Sequence, residues 1–384
     1  MAFLLDQVGQ FAIGGPPAGP SAPALYNAGV IEKSSKVIVV AGALTQPHWV
    51  PPVELRARLR ALAAIRDLQT SEPAMPPSST ALPRELAHDR WLRLQAWPEE
   101  VAIAPGAMAA VRRLAQHETD LGGWLVEPVH FHLAKDHVVL LAGAANDLDD
   151  ADAAQLATAI LPLFQDDLFK LDLLAPRQWL MQQRTSQGPP LQLDCASSDA
   201  AAGRNVEGYL PGGIDARRYR KLLNEIQMTW HQHPVNERRE ANGRLPINSI
   251  WLSGPATAPA LAAWKRAVAG GRYDVDESLL ATRLADDRLG WLDALQALDA
   301  RMQAWLADDQ SPSILLCGDT TVRWLQRRPS SRHAAAGRAA RRRFGAVAGW
   351  LRQLSRGGSR DDAGSAGGPA GANDPLVRIF SEAP

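Results

Sequence analysis

Apolar and polar residues alternate along this chain with two different periods, which separate helices from strands. Between residues 215 and 232, apolar side chains recur every three or four positions, so this pattern predicts an amphipathic helix. Short uninterrupted apolar runs at 36–44, 247–252 and 313–317 predict buried strands. The chain therefore combines helices and strands that must bury apolar surface in a core.

Paired apolar runs at 123–141 and 169–182 predict two β-hairpins. Buried strands separated by helices are typical of α/β proteins, and hairpins indicate a mixed rather than a purely parallel sheet. The predicted fold class is α/β, with a mixed, largely buried sheet, flanking helices and β-hairpins. Helical periodicity predicts further helices over 54–68, 105–117, 149–164, 258–268, 276–285 and 287–306.

The two ends of the chain differ in composition from the middle. Residues 1–35 are rich in Gly, Pro and Ala without a period, so we expect a disordered N-terminal extension. The α/β domain is predicted over 36–326, as one unit or as two intimate subdomains. A basic, partly disordered C-terminal extension follows, with an Arg-rich amphipathic segment at 327–356 and a disordered tail at 357–384.

The net charge of zero hides a basic tail on an acidic body. From Arg323 onward there are 12 Arg, no Lys and 4 acidic residues, whereas the preceding residues include 29 basic and 37 acidic ones. An Arg-rich tail can bind nucleic acid or an anionic membrane through phosphate groups. It can equally dock on the acidic body or on a partner protein.

Several features point to a cytoplasmic protein. No apolar run approaches the length of a transmembrane segment. The first residues, MAFLLDQVGQ, lack the basic region and long apolar core of a secretory signal. Cys195 and Cys317 are too far apart in sequence for a metal-binding spacing, and they form no disulfide framework.

The segment 219–254 is the main candidate site, because polar side chains flank its predicted helix and strand. Pro234 is expected to end the helix, and Asn242-Gly243 to form a tight turn. The side chains here could line a pocket for a small anionic ligand or a protein partner, with Arg providing bidentate contacts. The alternative is a polar network that fastens the helix end to the strand. The candidate ligand-binding residues are Asn224, Glu225, Gln227, His231, His233, Asn236, Arg238, Arg239, Asn248 and Trp251.

Three histidines are weak candidates for a metal site. His130 and His132 share one face of a predicted strand, and His137 begins the next strand. Three imidazoles can hold zinc and leave a position open for water. Histidines on strands are more often simply half-exposed, so no metal ligand is assigned.

Five strings of the sequence are distinctive: WLVEPVHFH at 124–132, GYLPGG at 208–213, NEIQM at 224–228, HPVNERRE at 233–240 and INSIWLSG at 247–254. They resemble the RpfE-like bacterial regulatory proteins, whose members are often labelled cofactor-independent phosphoglycerate mutase. The resemblance covers roughly residues 36–320 and implies a cytoplasmic bacterial regulatory protein that binds its ligand or partner through residues 224–251.

The mutase label implies a phosphotransferase or phosphohydrolase that needs divalent metal. Such enzymes in the alkaline-phosphatase superfamily place an Asp just after the first core strand and use a Ser nucleophile, with further Asp and His ligands for two ions. Here no carboxylate follows the first strand before Glu54, and Asp319 alone ends a strand. We therefore expect a regulatory protein, with a phosphoglycerate-mutase-like enzyme or a nucleic-acid accessory protein as alternatives.

Overall fold

The computed structural model describes residues 36–46, 49–65, 68–73, 75, 82–95, 101–143, 145–166, 169–184, 191–307, 312–327 and 375–382. The strands are β1 (Val37–Val40), β2 (Leu68–Ser71), β3 (Gly123–Leu133), β4 (Val138–Leu141), β5 (Phe169–Ala175), β6 (Gln178–Gln183), β7 (Ser249–Ala256), β8 (Tyr273–Asp276), β9 (Ser313–Cys317) and β10 (Val322–Arg327). The helices are α1 (Pro52–Arg58), α2 (Arg60–Ala63), α3 (Ala87–Gln95), α4 (Met108–Leu114), α5 (Asp150–Asp166), α6 (Ser198–Ala201), α7 (Ala216–His231), α8 (Pro234–Ala241), α9 (Ala258–Ala269), α10 (Leu280–Leu284), α11 (Arg288–Ala307) and α12 (Pro375–Phe380).

The strands form two sheets. The first has the order β2-β10-β9-β1-β8, in which β1 is parallel to β8 and β9, whereas β10 is antiparallel to its neighbours β9 and β2. The second is antiparallel, with the long strand β3 pairing β4, β6 and β7, and with β5 pairing β6. The predicted α/β class with a mixed sheet and hairpins is confirmed.

Alternation of side chains along the strands explains how the layers pack. On β1, Ile38 and Val40 enter a core with α1, α2, α11 and α12, whereas Val39 enters a core with α3, α4 and α9. On β3, Leu125 faces this same middle core, and Val126 faces the core formed by α5 and α7. The helices α3, α4 and α9 therefore lie between the two sheets and contact both.

The helix predicted before Pro234 ends at His231, as expected. Pro234 then begins α8, a helix that was not predicted, where its missing N–H costs nothing and His233 caps the helix. Within the predicted disordered tail, Leu376, Ile379 and Phe380 are buried, because their helical spacing lets α12 pack into the core against α1. The predicted N-terminal extension and the Arg-rich segment beyond Arg327 lie outside the described residues.

In the described part of the chain, none of the helices combines the length and the apolar character that a bilayer crossing requires.

Candidate functional site

The candidate site begins at the carboxyl ends of the parallel strands of the first sheet. Glu277 directly follows β8, and Asp319 follows β9 after one glycine. Ligands of open α/β sheets bind at this edge, where the loops diverge. The site extends from there to the second sheet through α4.

Two adjacent arginines of α4 reach in different directions because successive helix residues point about 100° apart. Arg112 turns towards α3 and β8. Its Nε donates to Asp89 Oδ1 at 2.7 Å, and its Nη2 donates to Glu277 Oε1 at 2.8 Å. Arg112 Nη2 also lies 3.1 Å from His88 Nε2. A guanidinium has only donors, so this contact places the ring proton of His88 on Nδ1.

Arg113 turns towards the second sheet. Its Nη1 donates to Glu127 Oε1 at 2.7 Å and to Ser198 Oγ at 3.1 Å, and its Nη2 donates to Asp199 Oδ2 at 2.5 Å. Ser198 Oγ in turn donates to Glu127 Oε2 at 2.6 Å. A hydroxyl, a carboxylate and a guanidinium thus form a closed triangle of hydrogen bonds.

The local chain explains why these groups are held. Ser197 caps α6 by accepting from Ala200 N, which fixes Ser198 and Asp199 in the first turn. The fully buried Trp251 donates from Nε1 to the carbonyl of Ala196 at 2.9 Å, so β7 holds the loop that leads into α6.

Burial and charge shift the pKa values of the carboxyl groups in opposite directions. Burial raises the pKa of Glu127, and its neighbour Asp199 adds to this, although Arg113 acts against both. Burial also acts on Glu277, but the charges of Arg112 and Arg113 outweigh it and lower its pKa to about 2. Burial would raise the pKa of Asp89 too, yet Arg112 and other neighbours hold it below its ordinary value.

A cavity of about 310 Å³ opens onto these groups. Its polar side is formed by Arg113, Glu127, Ser198, Asp199 and Glu277, and the exposed Asn146 and Arg177 also line it. The rest of the lining is mainly apolar and includes Val129, Leu140, Ala202, Leu280 and Leu284.

Among the residues that the structure describes, only His88, Asp89 and Asp199 form a group with ligand atoms close enough to hold a metal ion, within 4.8 Å of one another. All three are buried. Within the described chain, His88 Nδ1 and Asp89 Oδ2 are buried atoms without a hydrogen-bond partner. Buried polar atoms are nearly always paired. The open oxygen of Asp89 is an acceptor and can bind a cation, whereas the Nδ1–H of His88 is a donor and cannot.

The sequence-predicted pocket is only partly assembled. Asn224, Gln227 and His231 lie on one side of α7 and, with Asn248, line an open groove of about 740 Å³. The amide of Asn248 is already used, since it donates to and accepts from the backbone of Phe131. The remaining lining is apolar, with the partly buried Phe131 and Val138 and the exposed Leu133 and Met228.

The other predicted pocket residues point elsewhere. Arg238 donates to Asp152 on α5, and Arg239 donates to Leu245 O and to Asp147. The predicted convergence of arginines on an anion is therefore not found.

The remaining members of the predicted set support the fold. Asn236 bonds the carbonyls of Trp230 and Ile247 and accepts from Ile247 N. His233 caps α8, Glu225 pairs with Lys221 at 3.6 Å, and the buried Trp251 holds the loop before α6. This matches the alternative of a polar network that fastens helix to strand.

The three histidines do not converge either. His130 Nδ1 lies 2.8 Å from the carbonyl of Pro246, and burial lowers the pKa of His130. His132 is exposed, and His137 bonds the neighbouring Asp136. The one metal-capable group in the described chain contains none of them.

The groups around the cavity were missed by sequence reasoning because they come from distant segments. A signal was nevertheless present. Glu127 interrupts the apolar run WLVEPVHF, and Arg112-Arg113 interrupts the apolar helix MAAVRRL. Charged residues inside apolar runs are rarely buried without partners.

Comparison with known proteins gives short sequence matches. No family model matches the chain. Over 68 residues it is 35% identical to the 2,3-bisphosphoglycerate-independent phosphoglycerate mutase of Methanosarcina barkeri, covering 18% of this chain and 17% of the relative. Over 63 residues it is 38% identical to the probable 2,3-bisphosphoglycerate-independent phosphoglycerate mutase of Geobacter sulfurreducens, covering 16% of each. The chain thus spans less than a fifth of these curated relatives.

Solved structures give weak overall likenesses. A cofactor-independent phosphoglycerate mutase from Thermoplasma acidophilum is matched at a TM-score of 0.29 and 16% identity, over 76% of this chain and 89% of that one. The PH0037 protein of Pyrococcus horikoshii is matched at a TM-score of 0.37 and 12% identity, over 76% and 87%. No site residue is transferred from either structure. Over short stretches of sequence, the chain is similar to cofactor-independent phosphoglycerate mutases.

Proposed function

We propose that the cavity between the two sheets is the active site of a metal-dependent phosphotransferase or phosphohydrolase of the phosphoglycerate-mutase-like kind. The observation that carries this proposal is a cluster of buried and partly buried carboxylates that outnumber their arginines and include one unpaired oxygen, on Asp89. Asp89, Glu127, Asp199 and Glu277 share two guanidinium groups. With all four ionised, the cluster carries two uncompensated negative charges, which a divalent cation would balance.

The donor set fits one such ion. Carboxylate oxygens from Asp89 and Asp199 suit manganese or magnesium. His88 Nε2 accepts from Arg112, so it would become a ligand only where the ion displaces that guanidinium. Because Asp199 also lines the cavity, a bound ion would be reached from the substrate side. A divalent ion supplies Lewis-acid polarisation of a phosphoryl oxygen.

The chain's own groups supply the nucleophile and the base. Ser198 Oγ is the candidate nucleophile, and its proton passes to Glu127 Oε2, 2.6 Å away. A carboxyl group whose pKa is raised by burial is better matched to this role near neutral pH than an exposed one. Arg113 contacts both Ser198 Oγ and Glu127, so it orients the pair.

The test is titration of metal-stripped protein with Mn²⁺ by calorimetry. We expect one site, weakened about tenfold or more in Asp89→Asn and in the less buried Asp199→Asn. The exposed residue Asp136 provides the control, Asp136→Asn, which should bind as the parent does. Absence of binding to the parent protein would refute the metal site.

Turnover is tested separately with phosphoglycerate and a general phosphate monoester. Ser198→Ala should keep Mn²⁺ affinity and lower kcat by about a thousandfold or more, because it removes the nucleophile alone. Equal turnover in parent and variant would exclude Ser198 from the reaction.

A binding role of the RpfE-like regulatory type is a second proposal, supported by the groove beside α7. Leu133 and Met228 are exposed at 75% and 71% there, and amides border them. Such a mixed surface suits a protein partner or a small ligand. Chemical-shift changes at His231 on addition of inorganic phosphate would support anion binding, and an unperturbed His231 would contradict it. A cytoplasmic location and a nucleic-acid or membrane partner for the Arg-rich segment stay predictions.

A further inference from the structure

Asp319 contacts three segments around the candidate site: the start of α3, the loop after α6 and α10. Its carbonyl accepts from Ala87 N at 3.0 Å, the first residue of α3. Its Oδ2 accepts from Arg204 Nη2 at 2.8 Å and lies 3.6 Å from Arg283 Nη2. α3 carries His88 and Asp89, and Arg283 lies in α10, which supplies part of the apolar wall.

Arg204 connects Asp319 to α6, the helix that carries the candidate nucleophile. Arg204 Nη1 donates to the carbonyl of Ala200 at 2.5 Å, within α6. α6 carries Ser198 and Asp199. Asp319 is therefore connected to both parts of the metal-capable group, through α3 to His88 and Asp89 and through Arg204 to α6.

The backbone of Asp319 is in turn held by the far end of the described chain. Glu382 Oε1 accepts from Asp319 N at 2.8 Å and from Thr321 Oγ1 at 3.3 Å. A Cβ on Gly318 would meet this carboxylate oxygen at 1.9 Å, so only glycine allows the approach.

The segment that carries Glu382 is docked along its length. Thr45 N, just after β1, donates to the carbonyl of Phe380 at 2.9 Å, and Glu382 N donates to Thr45 O at 2.7 Å. Arg323 Nη1 donates to the carbonyls of Arg378, Ile379 and Ser381. The C-terminal segment, residues 375–382, thus closes over the carboxyl edge of the first sheet.

We propose that Asp319 is the positioning residue of the cavity and that the C-terminal segment, through Glu382, holds it in place. The metal-binding part of this inference rests on the function proposed above. Docking of the C-terminal segment and order in α6 are then coupled, because Asp319 is bonded to Glu382 and, through Arg204, to α6. Losing the Glu382 carboxylate frees Asp319 N, loosens the Asp319–Arg204 contact and disorders the turn that carries Ser198.

Amide hydrogen exchange on the full chain tests the coupling without relying on activity. In Glu382→Ala we expect the amides of Ala200, Ala201 and Ala202 to exchange about tenfold faster or more. Glu382→Gln should restore most of the protection, since its amide oxygen still accepts from Asp319 N. The exposed Glu118 provides the control, Glu118→Ala, which should leave α6 unchanged.

A second variant tests the link from Asp319 to α6 separately from the docking of the C-terminal segment. Asp319→Asn keeps its backbone bonds but weakens the charged contacts to Arg204 and Arg283, so α6 should exchange faster while residues 376–380 stay protected. Unchanged exchange of α6 in both Glu382→Ala and Asp319→Asn would overturn the proposal.

Mn²⁺ titration of the same variants adds the functional readout. We expect about tenfold weaker binding in Glu382→Ala and recovery in Glu382→Gln. If the parent protein binds no Mn²⁺, the proposed function fails, and the exchange data still decide the coupling. If the parent binds and α6 exchange is insensitive to Glu382, the coupling fails alone.

Discussion

Glu277 is the residue at which burial and charge compete most clearly. Its carboxylate bonds Arg112 and lies near Arg113, and its side chain is 32% exposed. Attraction to the two arginines outweighs the cost of burying the carboxylate, so the ionised form is stabilised in the folded protein relative to the unfolded chain.

Glu277→Gln should destabilise the protein in a pH-dependent way. The folded pKa of about 2 lies below the ordinary value of 4.5, so ionised Glu277 adds stability above pH 4.5 that is lost as the pH falls towards 2. After allowing for solvent screening, we expect a loss of about 2 kcal/mol at pH 7. Urea unfolding of parent and variant between pH 7 and pH 3 measures it, and the difference should shrink as the pH falls.

The exposed Glu118 again provides the comparison. Glu118→Gln should change stability by no more than about 0.5 kcal/mol at any of these pH values. A pH-independent loss in Glu277→Gln would mean that its carboxylate charge is not what stabilises the fold.

Single residues were predicted from the local sequence pattern. Site residues that come together from distant segments of the chain were therefore missed. Asn236 and Trp251 were predicted as ligand-binding residues, whereas in the structure their side chains bond the carbonyls of Ile247 and Ala196. Asp89 and Asp199 carry no local signal, because their proximity depends on how α3 and α6 are placed. Only the tertiary structure supplies that placement.

At the scale of elements, Asn236 shows how a helix end can be fastened to a strand. Its side chain replaces backbone partners for Trp230 at the end of α7 and for Ile247 ahead of β7. Asn236 is 3% exposed, so no water can take over these bonds without opening the core.

Asn236→Ala should therefore lower the free energy of unfolding by about 2–4 kcal/mol, because it leaves several buried backbone groups unpaired. Asn242, exposed at the end of α8, makes a single side-chain bond to Arg238 O and provides the matched control. Asn242→Ala should cost no more than about 0.5 kcal/mol. The midpoint of urea unfolding measures both, and equal midpoints for the two variants would contradict the fastening role.

Elements with strong periodicity were predicted well, and strands with mixed sequences were not. The helix expected at 215–232 is α7, and the apolar run at 313–317 is β9. Strands β2, β8 and β10 were missed because their sequences, LQTS, YDVD and VRWLQR, mix polar or charged with apolar residues. β8 lies at the edge of the first sheet, where polar side chains meet solvent and the apolar signal fades.

At the scale of the whole molecule, α4 joins the two sheets. Its apolar residues lie in the middle core, and Arg112 and Arg113 bond groups on either side. The sequence predicted one mixed sheet and left open two intimate subdomains. A second, antiparallel sheet could not be foreseen, because sheet membership depends on pairings between distant strands.

We expect the two sheets to unfold together. Fully buried tryptophans report on both outer cores, with Trp179 and Trp230 in one and Trp291 in the other. Their fluorescence and the far-UV circular dichroism should give urea midpoints that coincide within about 0.2 M, since the middle core makes the layers interdependent. Two separated transitions would show that the sheets are independent folding units.

The pairing of β1 has a consequence for synthesis of the protein. This strand lies near the start of the chain, yet its partners β8 and β9 begin at Tyr273 and Ser313. At typical translation rates of ~5–20 residues per second, the ribosome needs on the order of 10–40 s to deliver the first partner. The hairpins of the second sheet are complete long before then. A nascent chain therefore carries a β-prone apolar segment before the strands that pair with it are synthesised, which exposes it to aggregation during that time.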